Sequence, residues 1–268
     1  MKAKMLLADG KSKVAPRVLR KMLEKAGFEV VERDPDLGVV VGGDGRFSRY
    51  GRSEDIPLLF VGVRSGKPHG SKAHMAHAML DELPKVLERV KEGQYRIEKH
   101  RRLEVLLNGR RLGKVFTDIY LQRGSESVSL RYRLKVRGTS VRFEEAGIGD
   151  GVVISTAAGS SGYYSYVDRI KGENLDPKAW GIIPEDRIGV CHIAPSYTER
   201  NGSGQHPLRY TLPWGTIVEL SLFRKADARL YGTTVSKGGT RFQLGDRAQV
   251  RPSTSVTKVI VPSKQVRG

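Results

Sequence analysis

The stretch that most constrains the fold of this chain is Val39–Gly45, which reads Val-Val-Val-Gly-Gly-Asp-Gly. A continuous apolar, β-branched run is typical of a buried parallel strand. Parallel sheets bind ligands at the carboxyl ends of their strands, and backbone N–H groups in a glycine-bearing turn there suit a phosphate. Asp-Gly is also ordinary turn chemistry, so the stretch alone leaves a purely structural turn open. Asp44 is the one side chain in this turn that can accept a proton.

The residues around this turn predict an α/β domain. Strand patterns lie at Lys2–Ala8, Phe28–Val31 and Ile56–Val63. Apolar residues recur at helical spacing over Val14–Ala26. Ala73–Val90 is also expected to be helical, and Pro84 either starts a new helix there or kinks this one. Because strands alternate with helices, we expect a small parallel sheet with helices packed against it.

Three arginines accompany two glycine-bearing turns. The second turn, Gly62–Gly66, follows a predicted strand, and we expect it beside the first turn at one edge of the sheet. Arg46, Arg49 and Arg64 lie in or just after these turns. A guanidinium group matches the geometry of phosphate oxygens, so all three are candidate ligand-binding residues. Ordinary surface arginines in an arginine-rich chain are the alternative.

From Tyr95 onward the sequence changes to short strands separated by turns. Asn108-Gly109 is a strong hairpin signal. We therefore expect an α/β domain over residues 1–98 and a β-rich domain over residues 99–268. The predicted strands of the second domain are Leu103–Leu107, Lys114–Gln122, Ser127–Val136, Val141–Ala146, Val152–Ile154, Arg187–Ile193, Thr216–Phe223, Arg229–Val235, Arg241–Leu244, Ala248–Arg251 and Val256–Val261.

Polar residues of the second half form two candidate binding segments. Thr117-Asp118 lies within a predicted strand, where a carboxylate can face a ribose hydroxyl. Asp150-Gly151 precedes Ser155–Tyr163, a polar turn whose small residues leave the backbone accessible. A solvated turn capping the next helix is the alternative, and a catalytic serine is disfavoured because the nucleophile-elbow spacing is absent. The candidate residues in this turn are Thr156, Ser160, Ser161, Gly162 and, as a stacking face, Tyr163.

Composition limits the partners. The formal net charge of +18 over 268 residues permits nucleic acid, an anionic surface or phosphorylated small molecules. No apolar run is long enough for a membrane helix, so we expect no membrane partner. The single cysteine, Cys191, excludes an internal disulfide and fits a reducing cytoplasm. His74 and His77 are three residues apart, but no metal site is predicted, because exposed or capping histidines fit the pattern better.

At this point the chain resembles the NAD kinase family, collinearly from about residue 37 to residue 261. Gly42–Gly45 resembles the GGDG motif of that family, which diacylglycerol and sphingosine kinases share. Gly62–Gly66 is similar to its G-[IV]-N-[TS]-G turn. Asp150-Gly151 with Ser155–Tyr163 resembles its D-G-x-x-x-S-T-P-T-G-S-T-A-Y motif. The motifs occur in the family's order and at its separation.

The resemblance implies two domains with a nucleotide in the cleft between them, and dimers or tetramers. It implies transfer of a phosphoryl group from ATP, or sometimes polyphosphate, to the 2′-hydroxyl of the adenosine ribose of NAD, with a divalent ion such as Mg²⁺. Asp44 would be the general base, and Gly43 and Gly45 would shape the turn against phosphates. Asp150, Ser161, Gly162 and Tyr163 would line the dinucleotide site.

Several positions depart from the family pattern. They leave open a kinase of the same fold that acts on another hydroxyl compound, such as a nucleoside, polyol or lipid. A non-catalytic nucleotide-binding regulator, attached to nucleic acid through its positive charge, is the alternative from another class. Arg46 stands where the family has Thr after GGDG, and Arg64 stands where it has Asn in the second turn. Thr117-Asp118 stands in place of the family's Asn-Glu pair, and Ser165–Arg169 in place of its glycine pair. Tyr231-Gly232-Thr233 stands in place of its D-G-Q.

Overall fold

A computed structural model describes residues 1–7, 14–63, 73–171, 182–202, 207–233 and 238–263. Contacts divide the chain into two units, the first formed by residues 1–100 together with the C-terminal segment from Val256, the second by residues 101–255. The helices are α1 (Pro16–Lys25), α2 (Asp44–Ser53), α3 (Leu83–Lys91) and α4 (Tyr166–Lys171). The strands are β1 (Lys2–Leu6), β2 (Glu29–Val30), β3 (Leu37–Gly42), β4 (Leu58–Gly62), β5 (Ala78–Met79), β6 (Tyr95–Leu107), β7 (Arg110–Val115), β8 (Asp118–Arg123), β9 (Leu130–Arg137), β10 (Arg142–Gly149), β11 (Gly151–Ser155), β12 (Arg187–Ile193), β13 (Tyr197–Arg200), β14 (Arg209–Pro213), β15 (Ile217–Leu222), β16 (Ala228–Tyr231), β17 (Thr240–Phe242) and β18 (Ala248–Pro262).

The first unit contains a parallel sheet, as the sequence predicts. Its strands run in the order β4-β3-β1-β2, and both β5 and the end of β18 pair in parallel with β4. All six residues of β3 are buried, which is why that strand is a continuous apolar run. Helices α1 and α3 contribute apolar side chains to the core of this unit, among them Leu19, Leu23 and Leu87.

One predicted helix of the first unit is wrong over its first half. Residues 78–82 form the short strand β5 and a 3-10 turn, and the helix begins only at Leu83. Pro84 is the reason, because proline has no N–H to give and fits the first turn of a helix rather than its interior. The second glycine-bearing turn lies, from residue 64 onward, outside the described residues.

The second unit contains two antiparallel sheets that enclose one apolar core. One sheet has the order β14-β12-β11-β8-β16-β17, and the other includes β13-β10-β9-β15 and the start of β18. The predicted hairpin at Asn108-Gly109 is confirmed, since both residues have the positive φ of a type I′ turn (51° and 78°). The predicted strand Lys114–Gln122 is two strands, β7 and β8, and the last two predicted strands are one, β18.

The C-terminal strand, β18, has residues in both units. The first part of β18 belongs to the second unit, whereas Val259 pairs with Leu58 of β4 in the first unit. Contacts therefore assign residues from Val256 onward to the first unit, although the sequence placed all of 99–268 in the second domain. The assignment of separate functions to these two domains stays a prediction. No helix in the described part of the chain is long and apolar enough to cross a membrane.

Candidate active site

Asp44 lies at the junction of a buried strand and a helix. Strand β3 ends at Gly42, Gly43 is the extended N-cap residue, and Asp44 is the first residue of α2. A carboxylate is favoured there, because a helix N-terminus carries a partial positive charge. The backbone N–H of Met75 donates a hydrogen bond to Asp44 Oδ1 at 2.9 Å. The predicted catalytic base is therefore held in one place by its own unit.

The predicted phosphate-binding arginines make contacts inside the first unit. The Arg46 guanidinium folds back and donates to the carbonyl of Val41, and burial lowers its pKa. A Cβ on Gly42 would lie 2.9 Å from the Arg46 side chain, so this position has no room for a larger residue. Arg49 lies over the ring of Tyr50, 5.6 Å from its centroid. A role of either arginine in binding phosphate stays a prediction, and Arg64 lies outside the described residues.

One face of β8 carries the second group of candidates. Residues alternate along this strand, so Ile119 and Leu121 enter the core while Asp118 and Tyr120 point to the opposite face. Asp118 pairs with Ser155 across β8 and β11, which brings the Thr117-Asp118 segment beside the Ser155–Tyr163 turn. The Thr117 hydroxyl donates to Asp118 Oδ1 at 3.2 Å.

Hydrogen bonds attach the start of the Ser155–Tyr163 turn to the residues before β8. The backbone N–H of Thr156 donates to the Thr117 carbonyl at 2.8 Å, and its hydroxyl donates to the Phe116 carbonyl at 2.6 Å. A Cβ on Gly159 would lie 2.4 Å from the Thr117 carbonyl oxygen. The buried Thr156 hydroxyl thus holds the turn in place, and its predicted ligand contact would have to come from the backbone.

The far end of this turn approaches Asp118. The Ser160 hydroxyl donates to the Ala157 carbonyl at 2.7 Å and accepts from the N–H of Ile183 at 3.0 Å. Gly162 is exposed, and a Cβ there would lie 3.3 Å from Asp118 Oδ2. A side chain at this position would therefore press against the Asp118 carboxylate. Ser161 is partly exposed and stays a predicted ligand residue.

Asp150 and Gly151 link β8 and β11 at the end of these strands that lies away from the Ser155–Tyr163 turn. Asp150 Oδ1 lies 2.8 Å from Arg123 Nε, and the Arg123 N–H donates to the Asp150 carbonyl at 3.0 Å. Gly151 has a φ of +142°, and a Cβ there would lie 1.9 Å from the Leu121 carbonyl oxygen. This Asp-Gly pair therefore has a clear structural task at the start of β11, and its role in binding a dinucleotide stays a prediction.

Three tyrosines share the Asp118 face, and two of them are absent from the candidates chosen from sequence. Tyr120 stacks on Tyr231, with centroids 5.2 Å apart, and meets the Tyr163 ring at 5.4 Å. Gln122 donates to the Tyr163 hydroxyl at 3.3 Å. The alternation of β8 could have revealed Tyr120 and Gln122, whereas Tyr231 becomes visible only through its pairing with Tyr120 across β16 and β8.

Helix α4 holds the segment that follows Tyr163. Arg209 of β14 forms two hydrogen bonds with the carboxylate of Asp168, at 2.6 and 2.8 Å. This pair raises the pKa of Arg209, and the guanidinium also lies 5.1 Å from the centroid of the Tyr164 ring. The Tyr166 hydroxyl donates to the His192 carbonyl. Where the resemblance predicts a glycine pair, this chain has a helix anchored by its side chains.

No group of three or more His, Cys, Asp or Glu side chains within the described ranges is placed to hold a metal ion. The aspartates discussed above are engaged separately, Asp44 by Met75 and Asp150 by Arg123.

Three relatives of the chain are named NAD kinase. No protein-family model matches the chain. The NAD kinase of Aromatoleum aromaticum is 29% identical over 251 residues, which cover 88% of this chain and 72% of the relative. The NAD kinase of Geobacter sulfurreducens is 27% identical over 84% of this chain and 73% of its own length. The match to the Methanopyrus kandleri NAD kinase, at 28% identity, covers 56% of this chain and only 59% of the relative.

Solved structures share the fold. Yeast NADH kinase complexed with NADH superposes with a TM-score of 0.72 at 14% identity, over 99% of this chain and 84% of that one. An NAD kinase from Archaeoglobus fulgidus in complex with ATP superposes with a TM-score of 0.64 at 17% identity, over 97% of this chain and 93% of that one. The chain is thus similar in sequence to NAD kinases and shares the fold of these solved structures. The fold expected from sequence, an α/β domain followed by a β-rich domain, is confirmed.

One departure from the pattern of the NAD kinase family has a structural explanation. Where the family has D-G-Q, this chain keeps only the glycine, Gly232, between Tyr231 and Thr233. Gly232 has a φ of +109°, and a Cβ there would lie 2.2 Å from the Asp118 carbonyl oxygen. The glycine is therefore required by packing against β8, whereas its neighbours differ from the family pattern beside the Asp118 face.

Proposed function

We propose that the chain catalyses ATP-dependent phosphorylation of the 2′-hydroxyl of the adenosine ribose of NAD, giving NADP and ADP. The observation that carries the proposal is the alignment with the Aromatoleum NAD kinase, which extends over 88% of this chain. The position of Asp44 supports it, because a base needs a fixed carboxylate and Met75 fixes this one. Because the matches to several relatives cover little more than half of their length, the activity is an inference from part of those proteins.

In the proposed reaction Asp44 accepts the proton of the 2′-hydroxyl. The ribose oxygen forms a bond to the γ-phosphorus of ATP, and the bond from that phosphorus to the bridging oxygen breaks, which releases ADP. Gly43 and Gly45 keep the turn free of bulk where phosphate oxygens approach, and Arg46 and Arg49 contribute positive charge. Mg²⁺ bound to ATP would neutralise phosphate charge. Phosphoryl transfer depends chiefly on such positioning and charge stabilisation.

Residues of the second unit bind the dinucleotide in this proposal. Asp118 accepts hydrogen bonds from ribose hydroxyls, assisted by Thr117, and Tyr163 stacks on a planar ring. The backbone of Gly162 and of the neighbouring turn provides hydrogen bonds. The remaining proposed contacts in this unit come from Asp150, Thr156, Ser160 and Ser161.

The test is NADP formation from ATP, Mg²⁺ and NAD by the wild type and by Asp44→Asn. We expect the variant to lose about 10²–10⁴-fold in kcat, the usual contribution of a general base. Asp36→Asn is the control, because Asp36 is a carboxylate of the same unit that accepts a hydrogen bond from the Lys2 N–H and has no part in the reaction. A folded wild type that makes no NADP would refute the proposal.

A kinase with another alcohol acceptor is the second candidate. The observation that favours it is the tyrosine cluster, since Tyr231 replaces a family aspartate and stacks on Tyr120 beside Asp118. The same assay with nucleosides, polyols and lipid alcohols, read out as ADP release, distinguishes this candidate. Turnover of one of these with none of NAD would establish it.

A nucleic-acid-bound regulator is the remaining candidate, and the net charge of +18 is its support. It predicts binding to DNA or RNA that weakens steeply with salt, without turnover of any acceptor. We further propose a cytoplasmic protein that forms homodimers or homotetramers. Light scattering of the purified protein tests the assembly, and a monomeric mass at micromolar concentration would contradict it.

A further inference from the structure

A polar cluster lies inside the otherwise apolar core of the second unit. Its members are Glu145 of β10 and His192 of β12, both almost fully buried, with Tyr132, Arg200 and Tyr210 around them. His192 Nε2 lies 3.3 Å from Glu145 Oε1, and Arg200 lies 3.7 Å from the same oxygen. Burying such groups costs free energy that apolar residues of similar size would not cost. A role beyond filling space is therefore expected.

The imidazole of His192 reaches the candidate site through one tyrosine. The Tyr132 hydroxyl donates its single hydrogen to the Gly151 carbonyl at 2.8 Å. His192 Nδ1 lies 2.7 Å from the same hydroxyl oxygen. Because a carbonyl only accepts hydrogen bonds, Nδ1 must carry a proton and donate it to Tyr132. His192 thus orients the hydroxyl that holds the first residue of β11.

Backbone groups of β12 and of Ala194, which follows it, hold the other end of residues 150–166. The Tyr166 hydroxyl donates to the His192 carbonyl and accepts from the Ala194 N–H at 3.2 Å. The N–H of Asp150 donates to the Ile193 carbonyl at 2.9 Å. Residues 150–166, which contain the candidate binding turn, are therefore attached to β12 at both ends.

The geometry points to His192 as a positioning residue: from inside the core it fixes Gly151 through Tyr132, and so sets the position of the turn within residues 150–166. Glu145 holds the buried imidazole from the opposite sheet, and the Tyr210 hydroxyl in turn donates to Glu145 Oε2. The kinetic part of this inference rests on the proposed kinase function. The structural part, the anchoring of residues 150–166, does not.

The test compares three variants that differ in the hydrogen bond to Tyr132. His192→Leu removes the donor, Tyr132→Phe removes the hydroxyl, and His192→Asn keeps an amide N–H close to the Nδ1 position. Val190→Ala is the matched control, because Val190 lies two residues earlier on the same face of β12, is fully buried in the same core and belongs to no polar cluster.

Hydrogen–deuterium exchange of residues 150–166 is the first measurement, and it needs no activity. We expect faster exchange in His192→Leu and Tyr132→Phe, near wild-type exchange in His192→Asn, and no local change in Val190→Ala. Equal exchange of this segment in all variants would overturn the inference. If His192→Leu does not fold, Tyr132→Phe and His192→Asn still decide, since only the first of these should loosen the segment.

Steady-state kinetics with NAD and ATP is the second measurement. Loss of one hydrogen bond should raise the KM for NAD about two- to tenfold in Tyr132→Phe, with the KM for ATP unchanged and His192→Asn close to wild type. A purely structural role would lower stability in all variants, Val190→Ala included, without this separation of the two KM values. If the wild type makes no NADP, the kinase proposal fails, and the exchange measurement still tests the anchoring.

Discussion

Tyr231 of β16 stacks on Tyr120 of β8, with 5.2 Å between the ring centroids and 19° between the ring planes. The pair lies on the face of β8 that also presents Asp118, two residues before Tyr120. Side chains two residues apart on a strand are about 6.6–6.8 Å apart. This face therefore combines an apolar, planar surface with a carboxylate.

Replacement of Tyr231 by leucine should weaken NAD binding. Base–aromatic stacking contributes about 1–3 kcal/mol, so we expect the KM for NAD to rise accordingly while the KM for ATP stays constant. Tyr197→Leu is the control, because Tyr197 is exposed on β13 and lies outside the candidate site. Identical kinetics of the two variants would exclude a stacking role for Tyr231.

Patterns confined to one stretch of chain predicted the parts of the fold that short-range rules determine. The valine run, the helix that ends before Gly27 and the Asn108-Gly109 hairpin all have local causes: burial on both faces, a positive φ after a helix, and a type I′ turn. The helix predicted over Ala73–Val90 was wrong before Leu83, where the chain forms a short strand and a 3-10 turn, whereas the alternative of a new helix starting at Pro84 is confirmed.

Gly45 offers a test of ligand approach that leaves the fold intact. A Cβ at this position would meet no heavy atom within 4 Å, so Gly45→Ala should fold at least as stably as the wild type, with a gain of up to about 1 kcal/mol. If phosphate oxygens approach the backbone here, the added methyl group should raise the KM for ATP. Thermal unfolding and kinetics measured together check both parts, and unchanged kinetics would argue against phosphate binding at Gly45.

Substitution of Gly151 by alanine should destabilise the fold, in contrast to substitution of Gly45. Its φ is +142°, and the Cβ of an alanine would lie 1.9 Å from the Leu121 carbonyl oxygen, so the position has no space for a methyl group. Gly151→Ala should lose about 1–3 kcal/mol of unfolding free energy from backbone strain alone. The pairing of β8 with β11 should also weaken. Denaturant unfolding measures the loss, and a variant as stable as the wild type would contradict this account of the turn.

Cys191 should be unreactive in the folded protein. It is fully buried in the small apolar cluster with Val153 and Tyr164, and burial raises the pKa of its thiol to about 12. The thiolate is the reactive form, so it should be nearly absent at pH 8. A thiol reagent should modify no cysteine in native protein and one after denaturation. Rapid modification of native protein at pH 8 would show that the cluster opens.

Contacts between distant strands explain what the sequence could not predict. Glu145 and His192 belong to strands of different sheets and are 47 positions apart, so no local period links them. The pairing of Tyr231 with Tyr120 likewise depends on the register of β16 against β8. Both sets of residues lie beside segments that the sequence analysis named as candidates, and neither set could be predicted from local patterns.

The buried carboxylate predicts how stability depends on pH. Burial alone would raise the pKa of Glu145, but the adjacent His192 imidazole, the hydrogen bond from Tyr210 and the charge of Arg200 outweigh it and lower that pKa. A carboxyl group whose folded-state pKa is depressed stabilises the protein above its unfolded pKa, about 4.3 for Glu. That stabilisation is lost as the pH falls below about 4.3 and through the folded-state value, because the native state must then give up an ion pair.

Glu145→Gln should therefore be less stable at pH 7 and less sensitive to acid. Removing one partner of a buried ion pair costs about 3–5 kcal/mol, since Arg200 would lose its counter-charge. Glu144→Gln is the control: its carboxylate is paired with Lys135 at 2.7 Å on the surface, where such pairs contribute about 0–1 kcal/mol. Urea unfolding from pH 7 down to pH 3 compares the slopes, and an unchanged acid slope in Glu145→Gln would show that another carboxylate controls acid stability.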